Sequence, residues 1–154
     1  MGTKFNQSRG WRNCNPLNLR KSANKWVGMK PTQEDKAFVQ FVCMSYGYRA
    51  AIKTLQSYYT VMRTLRRDFN IRNIIKRWAP ASDGNNPEGY ACKVGEWTGI
   101  DVDRILPEPR SIEGKWPFIR IMAAMTRVEC GVPKDKLPWK DIEKGWELAY
   151  GEKE

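Results

Sequence analysis

Residues 117–131, Pro117-Phe118-Ile119-Arg120-Ile121-Met122-Ala123-Ala124-Met125-Thr126-Arg127-Val128-Glu129-Cys130-Gly131, decide the fold class: apolar residues run from a helix-opening proline towards a helix-stopping glycine. This spacing predicts an apolar helix from Pro117 to Glu129, stopped by Gly131 and by Pro133 beyond it. Upstream, Ser45 is a plausible cap for a helix whose Tyr48, Ala51, Ile52, Leu55 and Tyr59 recur at helical spacing. Asn70 caps a shorter helix through Ile71, Ile74, Ile75 and Trp78, which Pro80 stops by removing a donor and restricting Ala79. After the turn-forming Ala81-Ser82-Asp83-Gly84-Asn85-Asn86, Pro87 opens a helix that places Tyr90, Ala91, Val94 and Trp97 on one face and ends at Gly99. Downstream, residues 139–150 form a last helix with Ile142, Trp146 and Ala149 as its buried stripe.

The remainder is less regular. Residues 1–36 are polar and broken by Gly10, Pro16, Gly28 and Pro31, and read as loops and turns. Residues 37–42 are β-rich and short, fitting one strand of a small hairpin. Five helices with little strand predict a mainly α fold, and 154 residues fit a single domain with one core. The sequence shows no internal repeat, heptad seam or low-complexity segment.

Lysine and arginine total 27 against 17 aspartate and glutamate, a formal net charge of +10. That sign favours a polyanionic partner: nucleic acid, an anionic membrane surface, or a bacterial wall with its carboxylates and teichoic acids. The cluster Arg63, Arg66, Arg67, Arg72, Lys76 and Arg77 reads either as a solvated face or as a wall-attracting one. Neither a helix-turn-helix spacing nor an RNP-type aromatic strand is present, which disfavours a nucleic-acid partner. No apolar run reaches the roughly 18 residues of a membrane span, and the N-terminus lacks an apolar signal core, so synthesis in the cytoplasm without membrane insertion is expected.

Histidine is absent. This removes the imidazole base of Ser-His-Asp and Cys-His enzymes and the histidine ligands of most catalytic zinc sites. Cys14, Cys43, Cys92 and Cys130 form no C-x-x-C pair, so four free thiols are expected and no metal or cofactor is implied. Any chemistry must rest on carboxylates, phenols, amines or amides.

Arg9-Gly10-Trp11-Arg12-Asn13-Cys14-Asn15-Pro16-Leu17-Asn18-Leu19-Arg20 resembles the R-G-x-R-N-x-N-P-x-N-(I/L)-R signature of a phage and prophage family. Members of that family are described as lysozyme-like, or as virion structural proteins with peptidoglycan-cleaving activity. The resemblance continues in residues 38–41, in Tyr46-Gly47-Tyr48-Arg49-Ala50, in residues 75–80 and in Tyr90 with Val94. Arg127-Val128-Glu129-Cys130-Gly131 is similar to the E-S-G type segment carrying the catalytic glutamate of lysozyme-superfamily transglycosylases and glucosaminidases. In those relatives the glutamate precedes the Asn-rich segment. The reversed order here implies a circularly permuted lysozyme-like domain.

The resemblance implies a monomeric peptidoglycan glycosidase, acting on the wall after release or as part of a virion. In it Glu129 is the general acid, and Asn13, Asn15, Asn18, Arg20 and Tyr90 hold the sugar. The residues themselves support parts of this. Asparagine amides offer donors and acceptors to sugar hydroxyls and acetamido groups, and arginines meet carboxylates; alternatively, the asparagines build a turn that bonds its own backbone. Glu129 extends the stripe of Met122 and Met125, and burial together with a helix C-terminus would raise its pKa. The competing reading makes it a boundary glutamate, paired with Arg127 or Lys134 or simply exposed.

Asp83 is the candidate second carboxylate, its alternative being a plain turn residue; Glu88, in a first helical turn, is a helix-end charge. Tyr90, Trp11, Trp26 and Trp78 either meet the sugar or fill the core. The alternatives to an enzyme are a noncatalytic wall-binding or virion structural protein, and a basic nucleic-acid-binding domain.

Overall fold

The computed structural model describes residues 4–151. Among them six α-helices follow in chain order: α1 Arg9–Arg12, α2 Met44–Thr64, α3 Ile71–Trp78, α4 Pro87–Thr98, α5 Ile112–Cys130 and α6 Trp139–Tyr150. Single 3-10 turns occur at Phe5–Gln7, Ala81–Asp83 and Lys134–Lys136. The fold is mainly α-helical. No described helix is long and apolar enough to cross a membrane.

The apolar stretch of residues 117–131 explains the architecture. Phe118, Ile119, Ile121, Met122, Ala123, Ala124, Met125 and Thr126 of α5 are all buried, and a helix apolar around most of its circumference must lie inside. Helices α4 and α6 flank it, α2 lies along α6 and touches α5, and α3 rests on α4. Tyr48 of α2 ties three of these together. It is fully buried, and its hydroxyl lies 2.7 Å from that of Thr126, which itself donates to the Met122 carbonyl. The Tyr48 backbone faces Gly145 of α6 so closely that a Cβ there would sit 2.5 Å from the Tyr48 Cβ.

Helix boundaries follow local chemistry. The Asn70 side chain accepts from Asn73 N, and the Asn86 side chain accepts from Gly89 N in front of α4. Gly99 and Gly131 end α4 and α5 at φ +73° and +68°, a backbone region that glycine enters without a Cβ penalty. Helix α5 starts five residues before Pro117, because Ser111 caps it by accepting from Gly114 N. Pro117 therefore lies inside the helix and withholds a donor from Glu113, an exposed residue whose carbonyl can turn to water. An interior proline costs about 3 kcal/mol, which burial of Phe118 and Ile119 at about 1.5–3 kcal/mol each offsets.

Other boundaries also differ from the sequence reading. Helix α2 begins at Met44 with Cys43 as its cap residue, so Ser45 lies in the first turn and caps nothing. The one-turn α1 arises within the segment read as loops and turns, being too short to show a period. Trp97 is 37 % exposed: α4 buries Tyr90, Ala91 and Val94, leaving Trp97 at the edge.

Residues 37–42 are extended but make only the isolated antiparallel bridges Arg20–Phe38 and Met29–Phe41. Their backbone donors are taken piecemeal. Ala37 and Phe38 donate to Asp35, Gln40 to the Gln33 side chain, Val39 to Leu19 O and Phe41 to Asn13 O. A ladder needs consecutive donors facing one partner, and here the side chains of the preceding loop intercept them.

Asn15 anchors this region. It is fully buried; its amide donates to Leu19 O and Val39 O, both at 2.9 Å, and accepts from Leu19 N at 2.9 Å. Asn15→Ala strands the Val39 carbonyl and the Leu19 N–H in the interior, while Leu19 O keeps its bond from Val39 N. At about 1–3 kcal/mol for each unsatisfied group, partly relieved by water, we expect a loss of about 2–3 kcal/mol, measurable as a lower denaturation midpoint at unchanged m-value.

Candidate active site

Helix α5 ends beside the Asn-rich turn, and that junction gathers three of the residues singled out in the sequence. Asn18 Nδ2 donates to Glu129 Oε1 at 2.9 Å, and the Tyr90 hydroxyl donates to Glu129 Oε2 at 2.8 Å. They come from three separate places: the turn after α1, the first half of α4 and the penultimate residue of α5. Asn18 sits at φ +55°, in the left-handed region that asparagine tolerates better than most side chains.

Packing beneath the turn makes this approach possible. A Cβ on Gly10 would lie 2.6 Å from Asn18 Oδ1 and 3.0 Å from the Cys130 sulfur, so only glycine leaves Asn18 its place against α5. Cys130, buried next to Glu129 in the chain, points its thiol at Pro16 O, 3.3 Å away. Trp78 clamps the far side of the turn through an indole N–H to Leu17 O at 3.3 Å. Gly10 and Cys130 lie within the two motifs that carry the resemblance, but the sequence marks neither as a site residue; their packing against Asn18 and Pro16 is seen only in the fold.

Glu129 is half-buried, and no described Lys or Arg forms a salt bridge with it. Arg127 instead lies flat on the Trp97 ring at 3.8 Å. Burial raises the Glu129 pKa above the ordinary glutamate value, and the hydrogen bonds from Asn18 and Tyr90 oppose this rise without cancelling it. The arrangement holds a proton more tightly than a solvated glutamate does. It also presents two donors to the carboxylate that remains once the proton has left.

Asn18 is shared with an open cleft of about 330 Å³, whose other lining residues include Arg20, Tyr58, Arg77, Trp78 and Asp83. Trp26 and Trp78 present aromatic surface there, and Arg77 lies over the Tyr58 ring at 5.1 Å. Asp83, in the 3-10 turn Ala81–Asp83, is exposed and borders the same cleft. Arg20 is exposed over the Phe38 ring at 5.2 Å.

Asn13 and Asn15 face elsewhere. Asn13 is buried, donating to Asp35 Oδ2 and accepting from Gln40 Nε2, both at 3.0 Å, while the amide of Asn15 is fully engaged with backbone. Neither lines the cleft; they build the turn that carries Asn18 and Arg20. Asp35 completes that support: Arg9, Asn13 and two backbone N–H groups bind its carboxylate and hold its pKa far below the usual range. The basic cluster is partly neutralised, since Arg72 pairs with Asp103 and Glu88, and Lys76 reaches Glu88 at 3.8 Å. All four cysteines are free.

Fold and site together define a small, strongly basic helical protein with a half-buried carboxyl group beside an open cleft. No family model matches the chain. It is similar to Protein P5 of Pseudoalteromonas phage PM2, at 30 % identity over 152 residues, covering 96 % of this chain and 86 % of the phage protein. The chain belongs to the family of that phage protein.

Proposed function

We propose that the protein is a peptidoglycan glycosidase that cuts a β-1,4 bond of the wall glycan, with Glu129 as general acid. The observation that carries this reading is the Asn18–Glu129–Tyr90 cluster: a half-buried carboxyl of raised pKa, oriented by two donors and joined through Asn18 to the cleft. An acid that keeps its proton near neutrality can protonate the leaving glycosidic oxygen. Afterwards the Asn18 amide and the Tyr90 phenol stabilise the carboxylate formed, so both favour departure of the proton.

Trp26 and Trp78 suit stacking on sugar faces, and Arg20 and Arg77 suit the peptide carboxylates of the polymer. The lysozyme-like resemblance of residues 9–20 and 127–131 supports the same reading. Action on the wall after release, or from within a virion, fits the kinship with a phage protein.

Incubation with purified sacculi, followed by mass spectrometry of the soluble products, tests the reading. Release of muropeptides supports it, and intact sacculi after prolonged incubation would leave a noncatalytic wall-binding role. Product ends name the mechanism. Reducing ends that disappear in Asp83→Asn identify Asp83 as the second carboxylate of a hydrolase, whereas anhydro ends identify a transglycosylase that needs none.

Tyr90→Phe separates positioning from packing. The ring still fills its buried place between α4 and α5, but Glu129 loses a donor that lowered its pKa. The alkaline limb of the pH–rate profile, where the acid loses its proton, is expected to move to higher pH. An unmoved limb would take Tyr90 out of the site.

A further inference from the structure

A second groove lies on a different face of α5. It encloses about 280 Å³ and is walled by Trp97, Trp139, Arg120, Arg127 and Lys134, with Ala123 and Ala124 as its floor. Arg120, Ala123, Ala124 and Arg127 follow at helical spacing and share one stripe of α5; Glu129, two residues beyond Arg127, is turned about 200° away from it. The two tryptophans are 37 % and 45 % exposed; among the described aromatic residues Trp116, outside the groove, is also exposed.

Charge distinguishes this groove from a plain apolar patch. Three cations line it and Glu96 is its one acidic residue, yet none of the four is in a salt bridge among the described residues. Arg127 stacks its guanidinium on the Trp97 ring at 3.8 Å, and its Nε is buried without a hydrogen-bond partner among the described residues. Stacking occupies the face of a guanidinium, so a carboxylate meets its in-plane N–H groups, here those of the Nη end because Nε is buried.

We infer that the groove between Trp97 and Trp139 is a second binding site, for an anionic aminosugar chain whose rings lie on the tryptophans and whose carboxylates meet Arg127 and Lys134. The inference rests on the wall-glycan reading of the main cleft. It gives the protein a second hold on the polymer, separate from the cutting site, so that a cleaved strand can stay attached.

The test uses the full chain carrying Glu129→Gln, labelled with 15N, and follows its indole N–H signals. A disaccharide tetrapeptide released from peptidoglycan is titrated in, with Trp97 and Trp139 assigned by single Trp→Phe changes. Both signals are expected to shift saturably. Neutral chitotriose should bind there at least about tenfold more weakly, as should the muropeptide to a chain with Arg127→Met and Lys134→Met, the loss of one charge-assisted hydrogen bond being enough for that factor. Trp26 and Trp78 in the main cleft should still respond in that variant, which also shows that it folds. A response at Trp26 and Trp78 with none at Trp97 and Trp139 overturns the second site and leaves the main reading standing. Free tetrapeptide or single-stranded DNA moving Trp97 and Trp139 as tightly as the muropeptide overturns the saccharide assignment. Silence at all four indoles overturns both.

Discussion

Glu129→Gln is expected to release soluble muropeptides about 10²–10⁴ times more slowly than the native chain, the range that a positioned general acid contributes. Glutamine keeps the shape and most of the contacts. Its carbonyl oxygen can accept from Asn18 Nδ2 while its amide donates to the Tyr90 oxygen, with the phenol rotated, but it has no proton to give. The same substitution should not cost stability, and the sign depends on pH. Glu129 has a folded-state pKa above its unfolded one, so between those two values the native state binds more protons. Native stability therefore falls as pH rises from the ordinary glutamate range through the raised pKa, because folding must then bury a charge. The glutamine variant lacks this loss. Denaturation midpoints of the two proteins should converge in acid and separate towards neutrality, with the variant the more stable. A variant that is inactive yet at least as stable at neutral pH would be the joint signature of a half-buried acid; undiminished muropeptide release would place the acid elsewhere.

The largest effect on folding should come from Gly145→Leu. An added Cβ alone would lie 2.5 Å from the Tyr48 Cβ and 2.9 Å from Arg49 N, and the second of these is backbone that cannot turn aside. Helix α6 would have to lift from α2 and take Ile142 and Trp146 out of the core with it. The cost should be about 3 kcal/mol, the upper end of overpacking penalties, or roughly 10 °C in Tm for a chain of this size. The neighbouring Lys144→Leu, on the exposed side of the same turn, should change stability by less than about 0.5 kcal/mol. Equal midpoints for the two variants would mean that the crossing is loose. A collapse confined to Gly145→Leu would establish that the α2–α6 contact is set by the absence of one side chain.

How much of this was legible beforehand differs between fold and site. Helices α3 and α4 could be read because each carries both a period and punctuation, Asn70 with Pro80 and Pro87 with Gly99, and α6 by the stripe of Ile142 and Trp146. The start of α5 could not. Ile112, Glu113, Lys115 and Trp116 show no apolar stripe, and the Ser111 cap is outvoted by a proline that usually opens helices. Helix α1 is one turn long, below the length at which a period exists. The crossing at Gly145 is invisible in one dimension, since glycine inside a helix signals weakness until a partner backbone is placed against it.

For the site, residue chemistry nominated Glu129, but its partners lie 111 and 39 positions away and no local pattern joins them. Only the resemblance put Asn18 and Tyr90 beside it in expectation. The asparagines illustrate the limit. Spacing treats Asn13, Asn15 and Asn18 alike, whereas the fold turns the first two inward to hold a loop and leaves Asn18, in its left-handed conformation, to reach Glu129. Of the two readings weighed for that turn, self-bonding describes Asn15, whereas Asn13 bonds the side chains of Asp35 and Gln40 and Asn18 that of Glu129.

The Asn18–Glu129 bond also has a consequence for synthesis. One half of the cluster leaves the ribosome early, and the other only after 111 further residues; α6, which covers the core, emerges later still. A contact this distant in sequence closes late, after its loop entropy has been met by the rest of the fold. A nascent or prematurely terminated chain thus carries the turn without Glu129, so that on the proposed function any wall-cutting capacity would be switched on by the completion of folding itself.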